Sequence, residues 1–295
     1  MVIAFGLGVG ILIGLTGIGG GSLMTPLLVL FAGVPPVVAI GTDLAYGAVT
    51  KTLGGWRHLR KGTVDLGVSK WLAVGSVPGA LVGVWLLGVL HGAYGKSFEP
   101  ALLGAIAVAL LIVALTILGR ALFMPKLVAR EVESIEQTRR TKLTAVGIGA
   151  VLGLILGVTS VGSGALIGLA LILVFKLTPH RVVGTDVFHA AILLWAAGLA
   201  HLVSGNIDFL LMATILIGSL PGVVIGTALI GHVPAAVLRP VLGCVLLGSA
   251  LGVMSKAGAP VPPAALVGVP LTVGFIAWLI QRARPVPREL EVAPA

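Results

Sequence analysis

The sequence predicts an all-α polytopic membrane protein made of two inverted-topology repeats and one extra transmembrane helix. Three observations lead to this prediction. The chain of 295 residues is 58% hydrophobic and only 10% charged, so most of its helices would have no polar face to present to water. Apolar runs of about 20 residues, the length of one bilayer crossing, recur along the chain. The sequence also aligns with itself when it is shifted by 143 positions.

Seven apolar runs have the length of a single crossing, and each is bounded by charged residues or by Gly and Pro. These runs cover residues 36–56, 67–90, 100–119, 182–203, 207–230, 236–255 and 263–281. Two further runs, 2–32 and 143–175, are too long for one simple crossing.

The shift of 143 positions pairs the two halves over most of their length. It places the segment IGGGSL on VGSGAL, and the tripeptide GTD at 41–43 on GTD at 184–186. It also places Asp65 on Asp208, so all four Asp residues of the chain have a counterpart. The predicted units are a first repeat (1–119), a charged cytoplasmic linker (120–142), a second inverted repeat (143–256), an extra transmembrane helix (257–281) and a disordered tail (282–295).

The basic residues predict the topology, because cytoplasmic loops of membrane proteins are enriched in Lys and Arg. If runs 2–32 and 143–175 each crossed once, the basic residues outside the spans would divide eleven to seven between the two sides. If each run forms a re-entrant hairpin of two half-helices, the division is sixteen to two, with Lys96 and Lys256 as the exceptions. We therefore predict two hairpins and seven crossings, with the N-terminus outside and the C-terminus cytoplasmic. Three crossings per repeat make the repeats inverted.

Glycine at the hairpin tips lets the chain turn sharply inside the membrane. Each second half-helix starts at a tip, so its unpaired N–H groups point toward the membrane midplane and favour an anion. Nearby hydroxyl groups could bind the same anion. The predicted substrate-binding residues are Thr16, Gly19, Gly20, Gly21 and Ser22 in the first repeat and Thr159, Ser160, Gly162, Ser163 and Gly164 in the second. The alternative is that these small residues only let helices pack closely.

Polar and charged residues within the apolar runs form a second group of candidates, because an ionised group in a bilayer usually faces a cavity or a partner. The predicted residues of the pathway or of proton coupling are Thr42, Asp43, Lys51, Thr185, Asp186 and His189. His189 lies one turn after Asp186, so the carboxylate could fix the tautomer of the imidazole. The alternatives are that Asp43 satisfies backbone groups of the neighbouring half-helix, that Lys51 extends to the membrane face and that His189 is a structural donor.

Asp65 and Asp208 have a different setting. Each stands directly before a long apolar run, which is the position of a helix N-cap. We predict a capping role for both.

Several longer motifs recur in the two repeats. The first repeat contains GLTGIGGGSLMTPLL, GTD, GTVDL and GSVPGALVG, and the second contains GVTSVGSGALIGLAL, GTDVFHA, HLVSGNIDF and GSLPGVVIG. In this combination they resemble the TauE/SafE family, the sulfite exporter family of membrane permeases, over residues 5–255. The resemblance implies a multi-pass transporter of the inner (plasma) membrane that moves small anions such as sulfite and organosulfonates. It does not specify which anion moves or in which direction.

The leading functional prediction is a secondary transporter for a small anion that works by alternating access around the paired tips. The alternatives are an anion channel on the same scaffold and a cation or metal transporter with Asp43 and Asp186 as ligands. No residue pattern indicates catalysis, nucleotide binding or a cysteine metal cluster, so we expect neither an enzyme nor a cofactor or bound metal. The net charge of +9 comes from basic residues between the apolar runs, which argues against nucleic acid. The expected partners are a small anionic substrate and the lipid bilayer, while a coupling proton and a homo-oligomer stay open.

Overall fold

The computed structural model describes residues 2–16, 21–123, 132–229 and 235–282, and their secondary structure is helical apart from one isolated bridge. The helices are α1 (Val2–Thr16), α2 (Gly21–Phe31), α3 (Pro36–Arg60), α4 (Leu66–Tyr94), α5 (Glu99–Phe123), α6 (Arg139–Thr159), α7 (Ala165–Leu173), α8 (Pro179–Val203), α9 (Phe209–Ala228), α10 (Ala235–Lys256) and α11 (Pro263–Arg282). A short 3-10 helix, Gly95–Phe98, connects α4 to α5. The all-α prediction is confirmed.

The helices have the composition of membrane spans. Six stretches of described helix are long and apolar enough to cross a membrane, and one of them, Leu66–Leu122, contains both α4 and α5. The other five lie in α6, α8, α9, α10 and α11. α3 is not among them, because Asp43, Lys51 and the basic residues of its last turn make it more polar. The prediction of a polytopic membrane protein is confirmed.

The helix boundaries differ from the predicted boundaries of the linker. α5 continues to Phe123 and α6 already starts at Arg139, so helix extends into both ends of the segment 120–142. Lys and Arg are good helix formers, which explains why α6 starts before its apolar run does. Residues 124–131 and the predicted tail beyond Arg282 lie outside the described residues.

Two aspartates start the helices α4 and α9. The Oδ1 atom of Asp65 accepts a hydrogen bond from the Val68 N–H at 2.9 Å, and that of Asp208 accepts one from the Leu211 N–H at 2.9 Å. Each carboxylate thereby satisfies one of the N–H groups that a first helical turn leaves unpaired. The prediction that both residues are N-caps is confirmed.

α1 and α2 form the first interrupted pair, separated by residues 17–20, which are outside the described part of the chain. Phe5, near the start of α1, contacts Phe31 at the end of α2, and the ring centroids are 5.7 Å apart. The start of α1 and the end of α2 therefore lie at the same end of the bundle.

α6 and α7 form the second interrupted pair, separated by residues 160–164. Before α6, the Val132 N–H donates to the Lys176 carbonyl, which follows α7, at 2.9 Å. The Arg181 side chain then donates to the Val64 carbonyl at 3.1 Å, so the loop between α3 and α4 lies at the same end of the bundle. We call this end, which holds residues 57–65, 132–142 and 176–181, the basic end. The α6–α7 pair enters from it and returns to it.

The two repeats are interleaved, because each interrupted pair packs on a long helix of the other repeat. α6 runs parallel to α4, and a Cβ atom on Gly153 would lie 2.1 Å from the Ser76 carbonyl oxygen. α1 runs parallel to α9, and a Cβ atom on Gly10 would lie 2.3 Å from the Ser219 carbonyl oxygen. Gly10 and Ser219 are the counterparts of Gly153 and Ser76 under the shift of 143 positions. Only glycine permits such close backbone contact.

α3 and α8 are counterparts in the two repeats and pack against each other in opposite directions. Gly55 near the end of α3 packs against Phe188 near the start of α8, while Ala45 packs against Gly198. Counterpart helices that run antiparallel are the arrangement that an inverted repeat requires. The inversion itself stays a prediction, which this pairing supports.

Gly153→Ala tests the close approach of α4 and α6. The added methyl group would meet the Ser76 carbonyl oxygen, so the helices would have to separate, and such overpacking typically costs about 1–3 kcal/mol. Gly147→Ala is the matched control on the same helix, because no atom lies within 4 Å of a Cβ atom at this position. We expect only Gly153→Ala to lower the midpoint of thermal unfolding in detergent. An equal or higher midpoint for Gly153→Ala than for Gly147→Ala would contradict the packing.

The shared basic end predicts which loops are accessible from the same side of the membrane. The test uses a Cys244→Ser background, which removes the only cysteine of the chain. Cysteines introduced by Lys61→Cys and Ser134→Cys should react with a membrane-impermeant maleimide from one side, and those introduced by Ser97→Cys and Ala259→Cys from the other. Because Lys and Arg accumulate in cytoplasmic loops, only the second pair should be labelled in intact cells. Labelling of one member of each pair from the same side would contradict this topology.

Candidate functional site

The break between α6 and α7 has a backbone conformation that few residues adopt. Gly162 and Gly164 have φ angles of +129° and +101°, which glycine tolerates because it lacks a Cβ atom. Ser160 ends α6 in the left-handed conformation with φ of +58°, and its N–H donates to the Leu156 carbonyl at 2.7 Å. The glycines predicted at this tip are therefore required by the turn itself.

The hydroxyl groups at this break have different roles. Thr159 Oγ1 donates to the Ile155 carbonyl at 2.6 Å and accepts from the Val161 N–H at 3.2 Å, so it satisfies the backbone of the break. Ser163 is buried, and its Oγ atom has no hydrogen-bond partner among the described residues. Of these two predicted binding residues, Ser163 is the one with a free hydroxyl group.

Three side chains from three elements meet at the centre of the bundle. Asp43 comes from α3, Thr25 from α2 and Ser160 from the break after α6. The Thr25 Oγ1 and Ser160 Oγ atoms lie 2.6 and 2.8 Å from Asp43 Oδ2, and they lie 2.6 Å from each other. All three residues are at most 1% exposed. We call this group the central triangle.

Asp186, the counterpart of Asp43, has different neighbours. It belongs to α8, its carboxylate interacts with the Gly164 backbone just before α7, and it interacts electrostatically with Lys51 and Arg120. Lys51 is only 7% exposed, and its Nζ atom has no hydrogen-bond partner among the described residues. One symmetric position therefore carries a carboxylate held by hydroxyl groups, and the other a carboxylate near two cations.

A cavity of about 820 Å³ connects the central triangle to the basic end. Its lining includes the buried residues Asp43, Lys51, Ser160 and Ser163 and the exposed residues Arg57 and Lys61. Three of these side chains are cationic and one is a carboxylate, so the cavity attracts anions from the basic end. The remaining lining is mainly apolar and comes from α1, α3, α8 and α9.

Thr42 and Thr185 connect helices of different repeats. Thr185 Oγ1 accepts from the Asp65 N–H at 2.8 Å, and Thr42 Oγ1 accepts from the Asp208 N–H at 3.0 Å. Each hydroxyl group satisfies the backbone at the start of a helix in the other repeat. Neither threonine is part of the cavity lining. Their hydrogen bonds brace the two repeats, and their predicted place on the pathway stays a prediction.

His189 faces α4. Its Nε2 atom lies 3.1 Å from Ser76 Oγ, and among the described residues it makes no hydrogen bond to Asp186. The structure thus shows Ser76, and not Asp186, as the hydrogen-bond partner of the imidazole, and a role of His189 in proton coupling stays a prediction. Tyr46, the counterpart of His189, lies near Ser219, the counterpart of Ser76, but their hydroxyl groups make no hydrogen bond among the described residues.

The first tip is only partly described. Gly19, Gly20 and the side chain of Thr16 lie outside the described residues. Gly21 starts α2, and Ser22 is buried with no partner for its hydroxyl group in the described part of the chain.

Thr25 is the residue of this site that sequence reasoning missed. Its counterpart is Gly168, so the repeat did not mark the position as polar. One feature of the sequence could have identified it. Thr25 lies one turn after Gly21, where the second half-helix begins, and this spacing predicts that its hydroxyl group is close to the tip.

Comparisons with one family model and with individual proteins give results that agree with each other. The family model described as "Sulfite exporter TauE/SafE" matches residues 2–253. The probable membrane transporter protein YjnA of Bacillus subtilis (strain 168) is 38% identical over 220 residues, which cover 74% of this chain and 85% of the relative. The probable membrane transporter protein YdhB of the same organism is 28% identical over 211 residues, covering 71% and 81%. No solved structure matches the chain.

Thr185→Val tests the bracing role of this threonine. The substitution removes the acceptor of the buried Asp65 N–H, and an unsatisfied buried group costs about 1–3 kcal/mol. We expect a lower midpoint of thermal unfolding with an unchanged affinity for the substrate. Thr178→Val, directly before the same helix, is the control, since the Thr178 hydroxyl has no partner among the described residues. An unchanged midpoint together with a weakened affinity would contradict the bracing role and would support Thr185 as a residue of the transport pathway.

Proposed function

The chain belongs to the sulfite exporter TauE/SafE family, and we propose that it is a secondary transporter for a small anion, either sulfite or an organosulfonate. The single observation that carries this proposal is the cavity of about 820 Å³ that leads from Arg57 and Lys61 to the buried Lys51. Its relatives YjnA and YdhB are named as probable membrane transporters. These names agree with the expectation of a transporter and not an enzyme.

Lys51 is the residue that we assign to the charge of the substrate. Among the described residues its only charged neighbour of opposite sign is Asp186, which makes no hydrogen bond to it. A buried ammonium group that lacks hydrogen bonds is costly, so we infer that a ligand or water provides them. The described residues place no carboxylate within 4.0 Å of it, and its side chain lines the cavity. An anion that enters from the basic end would pair with Lys51 and receive a hydrogen bond from the free hydroxyl group of Ser163.

The proposed site differs from the one predicted from the sequence, in which the anion binds at the N-termini of the two second half-helices. At the start of α7 the Asp186 carboxylate already interacts with the backbone, so an added anion would compete with it there. The cations of the cavity lie mainly on α3. We therefore place the substrate between Lys51 on α3 and Ser163 at the second tip, with the other tip residues shaping the turn.

Alternating access is the transport mechanism that we propose. In the described conformation the cavity leads to the basic end, which we assign to the cytoplasm because of its Lys and Arg residues. Antiparallel counterpart helices at the centre support an inverted repeat, in which exchange of the conformations of the two repeats closes one access path and opens the other. The N-terminus would then lie outside and the C-terminus in the cytoplasm of the cell that carries this protein in its inner membrane.

An anion channel and a cation or metal transporter are the competing functions. The described residues contain no group of three or more His, Cys, Asp or Glu that could hold a metal ion, and the cations of the cavity disfavour a cationic substrate. Uptake into proteoliposomes against a concentration gradient would exclude a channel. Inhibition of that uptake by sulfonates, with no inhibition by divalent metal ions, would exclude a metal transporter.

Lys51→Gln tests the assignment of the substrate charge. Loss of one charged hydrogen bond of about 1.5–3 kcal/mol should weaken the apparent affinity for sulfite about tenfold or more. Lys96→Gln is the control, because Lys96 is an exposed cation outside the cavity lining. The measurement is sulfite binding to the purified protein and uptake into proteoliposomes. Equal affinities for both variants would remove Lys51 from the site.

A further inference from the structure

The central triangle contains more short contacts than the hydroxyl protons of its members can supply. Thr25, Ser160 and Asp43 make three oxygen–oxygen contacts of 2.6, 2.6 and 2.8 Å. All three distances are those of O–H···O hydrogen bonds, and each such bond needs one proton. The two hydroxyl groups provide one proton each. With an ionised carboxylate, one contact would bring two oxygen lone pairs together without a proton between them.

A protonated Asp43 supplies the third proton. Asp43 Oδ2–H then donates to one hydroxyl group, that hydroxyl donates to the other, and the second hydroxyl donates back to Oδ2. The ring of three hydrogen bonds is closed, and every donor has an acceptor. The geometry of the triangle is therefore that of a neutral carboxylic acid.

The surroundings of Asp43 agree with this assignment. Its other oxygen, Oδ1, is buried and has no hydrogen-bond partner among the described residues. The titratable group that faces it is Tyr46 on α3 itself. Asp186 and His189 of α8 interact instead with Lys51 and with Ser76. No cation of the described residues lies within 4.0 Å of the Asp43 carboxyl group, so a negative charge there would be buried and unpaired.

The second repeat does not reproduce the triangle. The counterparts of Thr25 and Ser160 are Gly168 and Gly17, which have no hydroxyl groups. Asp186 has Lys51 and Arg120 nearby, and these cations favour the ionised form. Two carboxyl groups at symmetric positions thus have different surroundings, hydroxyl groups around one and cations near the other, which is the kind of arrangement that assigns separate roles to paired acids.

We propose, building on the transport function above, that Asp43 binds a proton that moves together with the anion, and that Thr25 and Ser160 hydrogen-bond directly to each other, one hairpin to the other, only while this proton is bound. Thr25 belongs to the first hairpin and Ser160 to the second. A neutral Asp43 lets an anion approach Lys51 and Ser163 without repulsion. Loss of the proton restores the negative charge and leaves two protons for three contacts, so both hydroxyl groups donate to the carboxylate and the direct hydrogen bond between Thr25 and Ser160 is lost. Anion and proton are therefore released on the same side.

This coupling is measured with the full chain in proteoliposomes. The probes are sulfite and methanesulfonate, since a sulfonate keeps its single charge over the pH range used. With one proton per anion, each pH unit across the membrane supports about tenfold accumulation. We expect a pH gradient, acidic outside, to drive uptake in the wild type, and anion addition without a gradient to acidify the lumen. Anion uptake without proton movement would overturn the proposal.

Asp43→Asn keeps the shape of the carboxylic acid but cannot release a proton. We expect this variant to exchange internal for external anion while losing pH-driven accumulation, which should fall to the ratio seen without a gradient. PH-driven accumulation equal to that of the wild type would exclude Asp43 as the proton site. Gel filtration in detergent shows whether the variant is folded. If the variant is not folded, the proton flux of the wild type still decides whether a proton moves with the anion.

A third measurement separates this proposal from the transport function. Infrared difference spectra between acidic and alkaline buffer report the C=O stretch of a protonated carboxyl group without any substrate. The band should be present in the wild type and in Asp186→Asn and absent in Asp43→Asn. If neither sulfite nor methanesulfonate is transported but the band behaves in this way, the substrate assignment fails and the proton site stands. If the band is unchanged in Asp43→Asn, the proton site fails whatever is transported.

Discussion

The structure depends on one constraint, which is that a helix interrupted inside an apolar bundle must still satisfy its backbone polar groups. At the break between α6 and α7, glycines with positive φ angles make the turn, and Thr159 bonds to the backbone on both sides of it. The Asp186 carboxylate occupies the start of the following half-helix. Because no water is available in hydrocarbon, these polar groups can exist only at the protected centre of the protein. The same requirement concentrates chemically active groups there.

Interleaving of the two repeats provides that protection. α6 lies on α4 and α1 lies on α9, with glycine backbones in direct contact along each pair. Thr42 and Thr185 add reciprocal hydrogen bonds between the repeats. A movement that separated the two halves of the sequence as independent bodies would break all these contacts.

The scaffold is nearly symmetric, whereas its charges are not. Lys51 has the counterpart Leu194, and Thr25 has the counterpart Gly168. Together with the pairing of Ser160 and Gly17, these differences give one carboxylate a pair of hydroxyl groups and the other a nearby ammonium group. A repeat that duplicates the fold can thus assign different tasks to equivalent positions by single substitutions, since the buried environment magnifies each change in charge or hydrogen bonding.

The sequence by itself determined the membrane class, the repeat, the two interrupted segments and the caps at Asp65 and Asp208, because hydropathy, periodicity and capping are local properties. It also singled out Asp43 and Lys51, since ionisable residues are rare in apolar runs. Only the tertiary structure decided that Asp43 meets Ser160, that Thr185 braces Asp65 and that His189 faces Ser76. These contacts join residues 117, 120 and 113 positions apart, and which of them meet depends on how the helices pack, which no local pattern encodes.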